Sequence, residues 1–366
     1  MIKNLDYIDE EVYLKEKSLF FNESWILAAH KNELLNNNDF VAFEYYGNKI
    51  FIQNFNGTIK SFQNVCLHRF NTIHEEPYGN RVSSCLYHNW TYGKKGNVVG
   101  LMCRNSFERD HINELKLKEY EVAFCGDFVF LKLNDKFDKS LEDYLGNIFA
   151  PLQEISTHFG AKTIDYTIEH KVNWKLLIEN VLECYHCTSV HENSFAKMGF
   201  GSVSPEKFDF FDGHSWCEFP KGENVKPNKI IEKSLAQRTF KTQGYLHFYI
   251  YPNAFISSVE GKGFYFGFMF PESPSKTNLR VRYFASKFEK ELSESEQNII
   301  DFINNSSNDS LDLVLNEDKK IVENIQSNLV NFKDHSPIFG DEEFRILKFY
   351  EYFNKQKNKN RYNESI

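Results

Sequence analysis

Cys66-Leu67-His68-Arg69 and Cys85-Leu86-Tyr87-His88-Asn89-Trp90 are the two short stretches on which the reading of this chain turns. Each sets a cysteine two or three positions before a histidine, so two separate loops can bring two thiolates and two imidazoles to one point. Around them, from Phe40 to Leu133, the sequence runs in short β-rich segments, VAFEYY, KIFIQNF and TIKSF, broken by Gly47-Asn48 and Asn56-Gly57. Asn and Gly both tolerate positive φ, so Asn56-Gly57 between such runs predicts a hairpin. The region reads as a small antiparallel β domain with a metal site in its loops.

Two cysteines on one iron and two histidines on the other are the ligand inventory of a Rieske [2Fe–2S] centre. Neutral nitrogens in place of two thiolates lower the cluster's negative charge, so reduction is penalised less and the centre suits one-electron relay. Cys₂His₂ is also a tetrahedral zinc inventory. Zinc fingers, however, pair Cys with Cys and His with His, whereas each loop here offers one of each. Arg69, Tyr87 and Trp90 also fit the iron–sulfur pattern.

Working outward, the 366 residues allow about two domains at roughly 100–200 residues each. With 41 % hydrophobic residues and 36 Phe beside 19 Tyr, the chain is globular rather than disordered. A net charge of -8 without a long basic run argues against nucleic acid and anionic membranes as partners. The N-terminus, MIKNLDYIDEEVYLKEK, has no secretory apolar core, and no apolar run reaches the length of a membrane span. The expectation is a cytoplasmic protein whose seven cysteines are ligands or buried thiols rather than disulfides.

Residues 9–35 read as helical segments interrupted at Asn22-Glu23-Ser24. After Asn134 come a helix (KSLEDYLGNIF), a strand (TIDYTIEHKV), a helix (NWKLLIENVLECYHC) and strands between Tyr245 and Phe288. Two helices, about 291–304 and 310–330, precede a polar Lys/Asn tail. On the helix at 173–187, Asn180, Glu183 and His186 follow at i, i+3 spacing and are neighbours on its surface. His191, five positions beyond His186, would lie about 140° round an unbroken helix, so the helix must end or bulge between them. Two His need a carboxylate to complete the facial triad of non-haem Fe(II). Asp318 falls on the apolar stripe of Leu311, Val314, Leu315, Val322, Ile325 and Leu329, where a lone carboxylate asks for a cation. Glu317 and Glu323 fall off that stripe and read as solvated. Singly, His186 reads as a core histidine, Glu183 as a surface charge and Asp318 as a partner for the adjacent lysines.

Together these residues resemble the Rieske non-haem iron oxygenases, specifically their catalytic α subunits, over nearly the whole chain. The pattern C-x-H-R … C-x-Y-H-x-W matches Cys66, His68, Arg69, Cys85, Tyr87, His88 and Trp90. Trp174, Glu179, Asn180, Glu183, His186 and His191 match the second motif, and Glu317, Asp318, Glu323 and Gln326 the late helix. The resemblance implies an α+β protein, with a Rieske antiparallel β domain inserted near the start of a helix-grip (START-like) catalytic domain. It implies N-terminal helices of the catalytic domain at 1–38, the Rieske domain at 39–150 and the mononuclear-iron domain at 151–366. Cys66, His68, Cys85 and His88 would hold the cluster; His186, His191 and Asp318 would hold Fe(II). Glu183 would bridge a cluster histidine and an iron ligand across the interface of a homotrimer, with Asn180 beside it.

The string Glu183-Cys184-Tyr185-His186-Cys187 looks most like the subgroup that oxidises quaternary ammonium compounds such as carnitine and glycine betaine, although Glu192 stands where proline often follows the second His. Cys184 and Cys187 read as packing residues. The implied activity is O₂-dependent hydroxylation or N-dealkylation. Electrons would come from NAD(P)H through a separate flavin and iron–sulfur reductase, or a ferredoxin. Gly93–Gly100 (GKKGNVVG) lacks the helix a dinucleotide motif needs, so the chain itself supplies no reductase. The aromatics Tyr245, Phe248, Tyr249, Tyr251, Phe264, Tyr265 and Phe266 offer either a pocket for an ammonium group by cation–π attraction or plain core. The alternatives are an aromatic ring-hydroxylating dioxygenase α subunit and, more remotely, a non-catalytic Rieske electron carrier.

Overall fold

The structure, a computed structural model, describes residues 2–107, 109–201, 204–222 and 229–363. The chain divides into two compact units, Phe21–Tyr144 and Met1–Phe20 with Leu145–Ile366.

In the first unit, β1 (Trp25–His30), β2 (Asp39–Tyr45), β3 (Asn48–Phe55), β4 (Thr58–Gln63), β5 (Tyr78–Asn80), β8 (Glu119–Cys125) and β9 (Phe128–Lys132) form one antiparallel sheet, ordered β1-β9-β8-β4-β3-β2-β5. A two-stranded ribbon, β6 (Thr91–Tyr92) and β7 (Val98–Gly100), stands beside it. Asn56 and Gly57, both at positive φ, close the β3–β4 hairpin as the sequence leads one to expect. Gly93–Gly100 is the turn of the ribbon together with its second strand β7, and a Cβ on Gly96 in that turn would meet the Phe62 ring at 2.9 Å. Residues 25–30, expected to be helical, are instead the strand β1, buried along its whole length. WILAAH has no polar residue before its final histidine, and so short an apolar run fits a buried strand as well as a helix.

The second unit is built on seven antiparallel strands: β10 (Phe159–His170), β11 (Lys207–Phe211), β12 (His214–Phe219), β13 (Tyr245–Ile250), β14 (Ala254–Val259), β15 (Gly263–Ser273) and β16 (Lys276–Ser286). Their order is β10-β16-β15-β14-β13-β12-β11. Five helices frame or brace the site in this unit: α1 (Glu10–Asn22), α2 (Trp174–Leu182), α3 (Cys187–Val190), α4 (Glu294–Leu329) and α5 (Phe344–Asn363). The sequence suggested two helices where α4 is one of 36 residues, started by the Ser293/Glu296 capping box. It lies across the sheet, held by Tyr166 to Asp312, Tyr265 to the Ser307 carbonyl at 2.8 Å and Tyr283 to Asn304 at 3.3 Å.

The chain after residue 343, which looked like the approach to a polar tail, is helix α5. Its Phe349 and Phe353 pack edge-on against Trp174. Trp174 in turn donates to Glu16 on α1 at 2.8 Å, and Glu16 and Lys175 form an ion pair with both side chains fully buried. No described helix is long and apolar enough to cross a membrane.

Candidate metal centres

Each cluster loop is one turn, built twice. Cys66 donates its amide to the Asn71 carbonyl at 2.8 Å and receives the Phe70 amide at 2.9 Å; Cys85 does the same with Trp90 and Asn89 at 2.9 and 2.8 Å. The fifth residue of each turn, Phe70 and Asn89, sits at positive φ (60° and 56°), which aims the residues before it toward a common point. The His68 and His88 rings are 4.7 Å apart, and Trp90 stacks on His68 at 4.7 Å with 3° between planes. The Tyr92 hydroxyl accepts from the Leu67 amide at 2.8 Å and donates to Cys66 Sγ at 3.2 Å, while Asn71 Nδ2 lies 3.7 Å from Cys85 Sγ. Burial, then His88 and Arg69, lower the His68 pKa toward the neutral form a metal requires. His88 Nδ1 is buried without a hydrogen-bond partner. Two buried thiols with hydrogen-bond donors and an orphaned imidazole nitrogen are a donor set that fits a [2Fe–2S] cluster.

In the second unit, α2 starts on the Asn173 side chain, which accepts from the Lys175 amide at 3.0 Å. The sequence suggested that this helix runs through His186. It stops at Leu182, and Glu183 is extended (φ -131°, ψ 165°). The reason is local: the Glu183 carboxylate accepts the amides of Tyr185 and His186, the latter at 3.2 Å, and so caps the next turn instead of continuing the first. The same carboxylate bonds His186 Nδ1. The turn then runs through α3 to His191.

This break brings His186, His191 and Asp318 together, with one donor atom from each within 4.8 Å of the others. His191 Nε2 is 3.1 Å and His186 Nε2 3.5 Å from Asp318 Oδ1. Asn180 Nδ2 holds that oxygen at 3.2 Å. Glu317, expected in solvent, instead receives His191 Nδ1 at 2.8 Å and the Ser194 hydroxyl at 2.6 Å. Glu323 is not free either; it accepts the Lys171 amide at 3.0 Å. Each imidazole therefore keeps Nε2 for a metal because a carboxylate occupies its Nδ1, and the donor set fits Fe(II) with positions left open. Helical phase alone points Glu317 outward, and the only sequence signals for it were its match to the late-helix motif and its adjacency to Asp318.

A cavity of about 200 Å³ lies on the Phe195 side of the triad, though His186, His191 and Asp318 are not among its described lining residues. Phe195, whose ring lies 6.3 Å from that of His191, and Val314, one turn before Asp318, line it with Tyr245, Ser257, Tyr265 and Tyr283. Ser257, Tyr265 and Tyr283 are neighbours in register on β14, β15 and β16. Burial holds all three tyrosines protonated, Tyr283 at about 12. Among the described lining residues none is Asp or Glu. Of the seven aromatics suggested by the sequence, Tyr245 and Tyr265 line the cavity; Phe248, Tyr249, Tyr251, Phe264 and Phe266 are core.

A second cavity, of about 260 Å³, touches Asn180, Glu183 and His186 from another side and includes Glu179. Glu179 receives the hydroxyls of Tyr7 and Tyr350, and burial lifts its pKa to about 7.

The reduced-thiol expectation fails at one pair. Cys184 and Cys187 form a disulfide, whereas Cys66, Cys85, Cys103, Cys125 and Cys217 are in the thiol form. The capped turn at Glu183 brings the two cysteines face to face, which a continuous helix would not.

Residues 158–357 match the family described as "Ring hydroxylating alpha subunit (catalytic domain)", and residues 24–121 match "Rieske [2Fe-2S] domain". The chain belongs to the ring hydroxylating alpha subunit family. It is a Rieske-type α subunit, with a [2Fe–2S] domain and a mononuclear-iron domain. It is 30% identical over 231 residues to the carnitine monooxygenase oxygenase subunit of Escherichia coli (strain K12), covering 57% of this chain and 61% of that protein. The match thus spans under two thirds of that relative. Over 268 residues it is 28% identical to the anthranilate 1,2-dioxygenase large subunit of Acinetobacter baylyi, covering 62% of this chain and 56% of that protein. Its fold is that of the quaternary ammonium Rieske monooxygenase CntA (TM-score 0.78, 21% identity, covering 98% of this chain and 95% of that one). Naphthalene 1,2-dioxygenase from Rhodococcus sp. shares it (TM-score 0.76, 19% identity, 97% and 94%).

Proposed function

We propose that this protein is an O₂-dependent oxygenase acting on a quaternary or N-methylated ammonium compound, which it hydroxylates beside nitrogen so that an alkyl group leaves as an aldehyde. The observation that carries this reading is the cavity near the triad: it is lined by Phe195, Tyr245, Tyr265 and Tyr283, has no carboxylate among its described lining, and its lining lysine, Lys262, is paired with Glu260, so a permanent cation can rest on its ring faces. An ammonium that cannot donate hydrogen bonds takes only Coulombic attraction from a carboxylate, and an aromatic face offers electrostatic attraction at a smaller desolvation cost. The carnitine and glycine betaine monooxygenase relatives support the same class.

His186, His191 and Asp318 would hold Fe(II), and Cys66, Cys85, His68 and His88 the cluster. When bound, the iron supplies the reduction of O₂ and its insertion into a C–H bond. The chain's own contribution is geometric. Glu183 and Glu317 keep protons on the outer nitrogens of the two histidines, Asn180 orients Asp318, and Tyr245, Tyr265 and Tyr283 position the substrate and exclude bulk water. Glu183, whose carboxylate bonds His186 Nδ1 and which lines the second cavity, would in this reading pass electrons to the iron ligands from a cluster in a neighbouring subunit of a homotrimer. Electrons would come from NAD(P)H through a separate reductase, in the cytoplasm.

The test is turnover of the metal-replete protein with its reductase on carnitine and glycine betaine against aromatic acids, with iron and sulfide counted per chain. Aldehyde release supports the proposal. A cis-dihydrodiol from an aromatic ring would replace it with the ring-dioxygenase reading, and iron in the cluster alone would leave only an electron carrier. Glu183→Gln is expected to retain both metals, by iron analysis, while product formation falls below a hundredth.

A further inference from the structure

The Cys184–Cys187 disulfide encloses Tyr185 and His186, and the residue before it is Glu183. The ring it closes is therefore the turn that carries one histidine of the triad together with the carboxylate that orients it. Inside that ring the hydrogen bonds are few: Cys187 donates to the Cys184 carbonyl at 3.1 Å, and Glu183 accepts from Tyr185 and His186. The turn is also held by Glu183 on His186 Nδ1 and by the Ser189 and Val190 amides on the His186 carbonyl at 3.0 and 2.9 Å; without the S–S bond it depends on these local contacts, and short turns are marginal in isolation.

The surroundings are equally specific. Both cysteines are nearly buried, 3 % and 5 % exposed, in an apolar cluster with Phe195, Phe200, Cys217 and Phe219. Phe195 lines the cavity beside the triad, and so do Met198, Tyr245 and Val259, which pack on this cluster. The apolar surroundings of the sulfurs thus share Phe195, Met198, Tyr245 and Val259 with the lining of that cavity. The third thiol of the cluster, Cys217, is kept protonated by burial despite Arg345 beside it.

Resting on the assignment of His186 as an iron ligand, we propose that Cys184 and Cys187 are a redox-active dithiol/disulfide site whose oxidised form pre-organises His186 for iron. The oxidant is hydrogen peroxide, the product when reduced O₂ is not used on substrate. The two thiols give up two protons and two electrons, an S–S bond forms, the O–O bond breaks and two waters leave. A dithiol reverses it: its thiolate attacks one sulfur, the S–S bond opens to a mixed disulfide, and its second thiol displaces that bond and restores both cysteines as thiols. In the disulfide form the three donor atoms lie within 4.8 Å, and the closed ring leaves less of the turn to be ordered when iron binds, so this form binds iron more tightly and reduction loosens the site.

The experiment uses the cluster-loaded protein, held anaerobically and treated either with one equivalent of hydrogen peroxide or with dithiothreitol. Alkylation after denaturation is then counted by mass spectrometry, and Fe(II) affinity is titrated against a chromogenic chelator. Five labelled cysteines are expected after peroxide and all seven after dithiothreitol, with iron bound about 10-fold more weakly in the reduced form, the lower end of the loss seen when support for a metal ligand is removed. The Cys184→Ser/Cys187→Ser variant is expected to bind iron like the reduced protein and to ignore both reagents. Seven labelled cysteines after peroxide, or equal affinity in the two states, overturns the proposal; both are wild-type measurements and need no variant to fold. His186→Ala separates the two assignments: if it keeps its iron, the ligand reading fails and the coupling with it, whereas the thiol count stands on its own.

Discussion

Glu317 shows how much a single carboxylate can contribute without touching the metal. It receives His191 Nδ1 and Ser194 Oγ, so it sets both the tautomer and the tilt of the imidazole. Glu317→Ala is expected to weaken Fe(II) binding about 10- to 100-fold in a chelator competition, with Glu317→Gln falling between. Glu179 offers a different test. Its pKa of about 7 lies above the ordinary 4.5, chiefly because burial disfavours the charged form. A raised carboxyl contributes its stability fully below pH 4.5 and loses it as pH rises toward and through 7. Between pH 4.5 and 8 the protein should lose roughly 3 kcal/mol from this residue alone. Urea unfolding of Glu179→Gln across that range is expected to flatten the slope by that amount.

At the scale of elements, the break between α2 and α3 decides the site. One carboxylate caps a turn, ends a helix and orients a ligand, so the spacing of five between His186 and His191 becomes usable. The base on which that turn rests is α2, almost wholly buried and tied to α1 by the Glu16–Lys175 pair and the Trp174 indole. Removing one partner of a fully buried pair leaves an uncompensated charge, at a cost of about 3–5 kcal/mol. Glu16→Ala should therefore lower the thermal midpoint sharply, and pairing it with Lys175→Met should restore much of the loss. Helix α4 is tied to the α2 end of the site by Glu323 and Gln326, which accept the amides of Lys171 and Asn173 at 3.0 and 2.8 Å. That tie fixes Asp318 along the axis relative to the two histidines.

Over the whole molecule, each unit has its own sheet and its own candidate metal site. Iron bound only by the folded triad stabilises by mass action, about 2.7 kcal/mol at a hundredfold excess over its Kd. Stripping that iron with a mild chelator should lower the calorimetric transition of the unit holding α4 while the visible absorption of the cluster stays unchanged. Loss of both signals together would mean that the two sites are not separately held.

Local chemistry made the Rieske domain and its candidate cluster loops legible from the chain alone. Cys66, His68, Cys85 and His88 lie within two short turns whose spacing is readable in sequence, and Asn56-Gly57 marks the hairpin that supports them. Periodicity picked out Asp318 as well, since a carboxylate on an apolar stripe asks for a cation. Tertiary structure decided the rest, because helical phase and apolar run length are silent on what faces a segment across space. Residues 25–30 became a strand because β9 offered a pairing edge, and Glu317 turned inward because His191 arrived from another element. His186 left its helix because Glu183 found two amides to cap. The pairing of Cys184 with Cys187 followed from that same break, and no count of cysteines contained it.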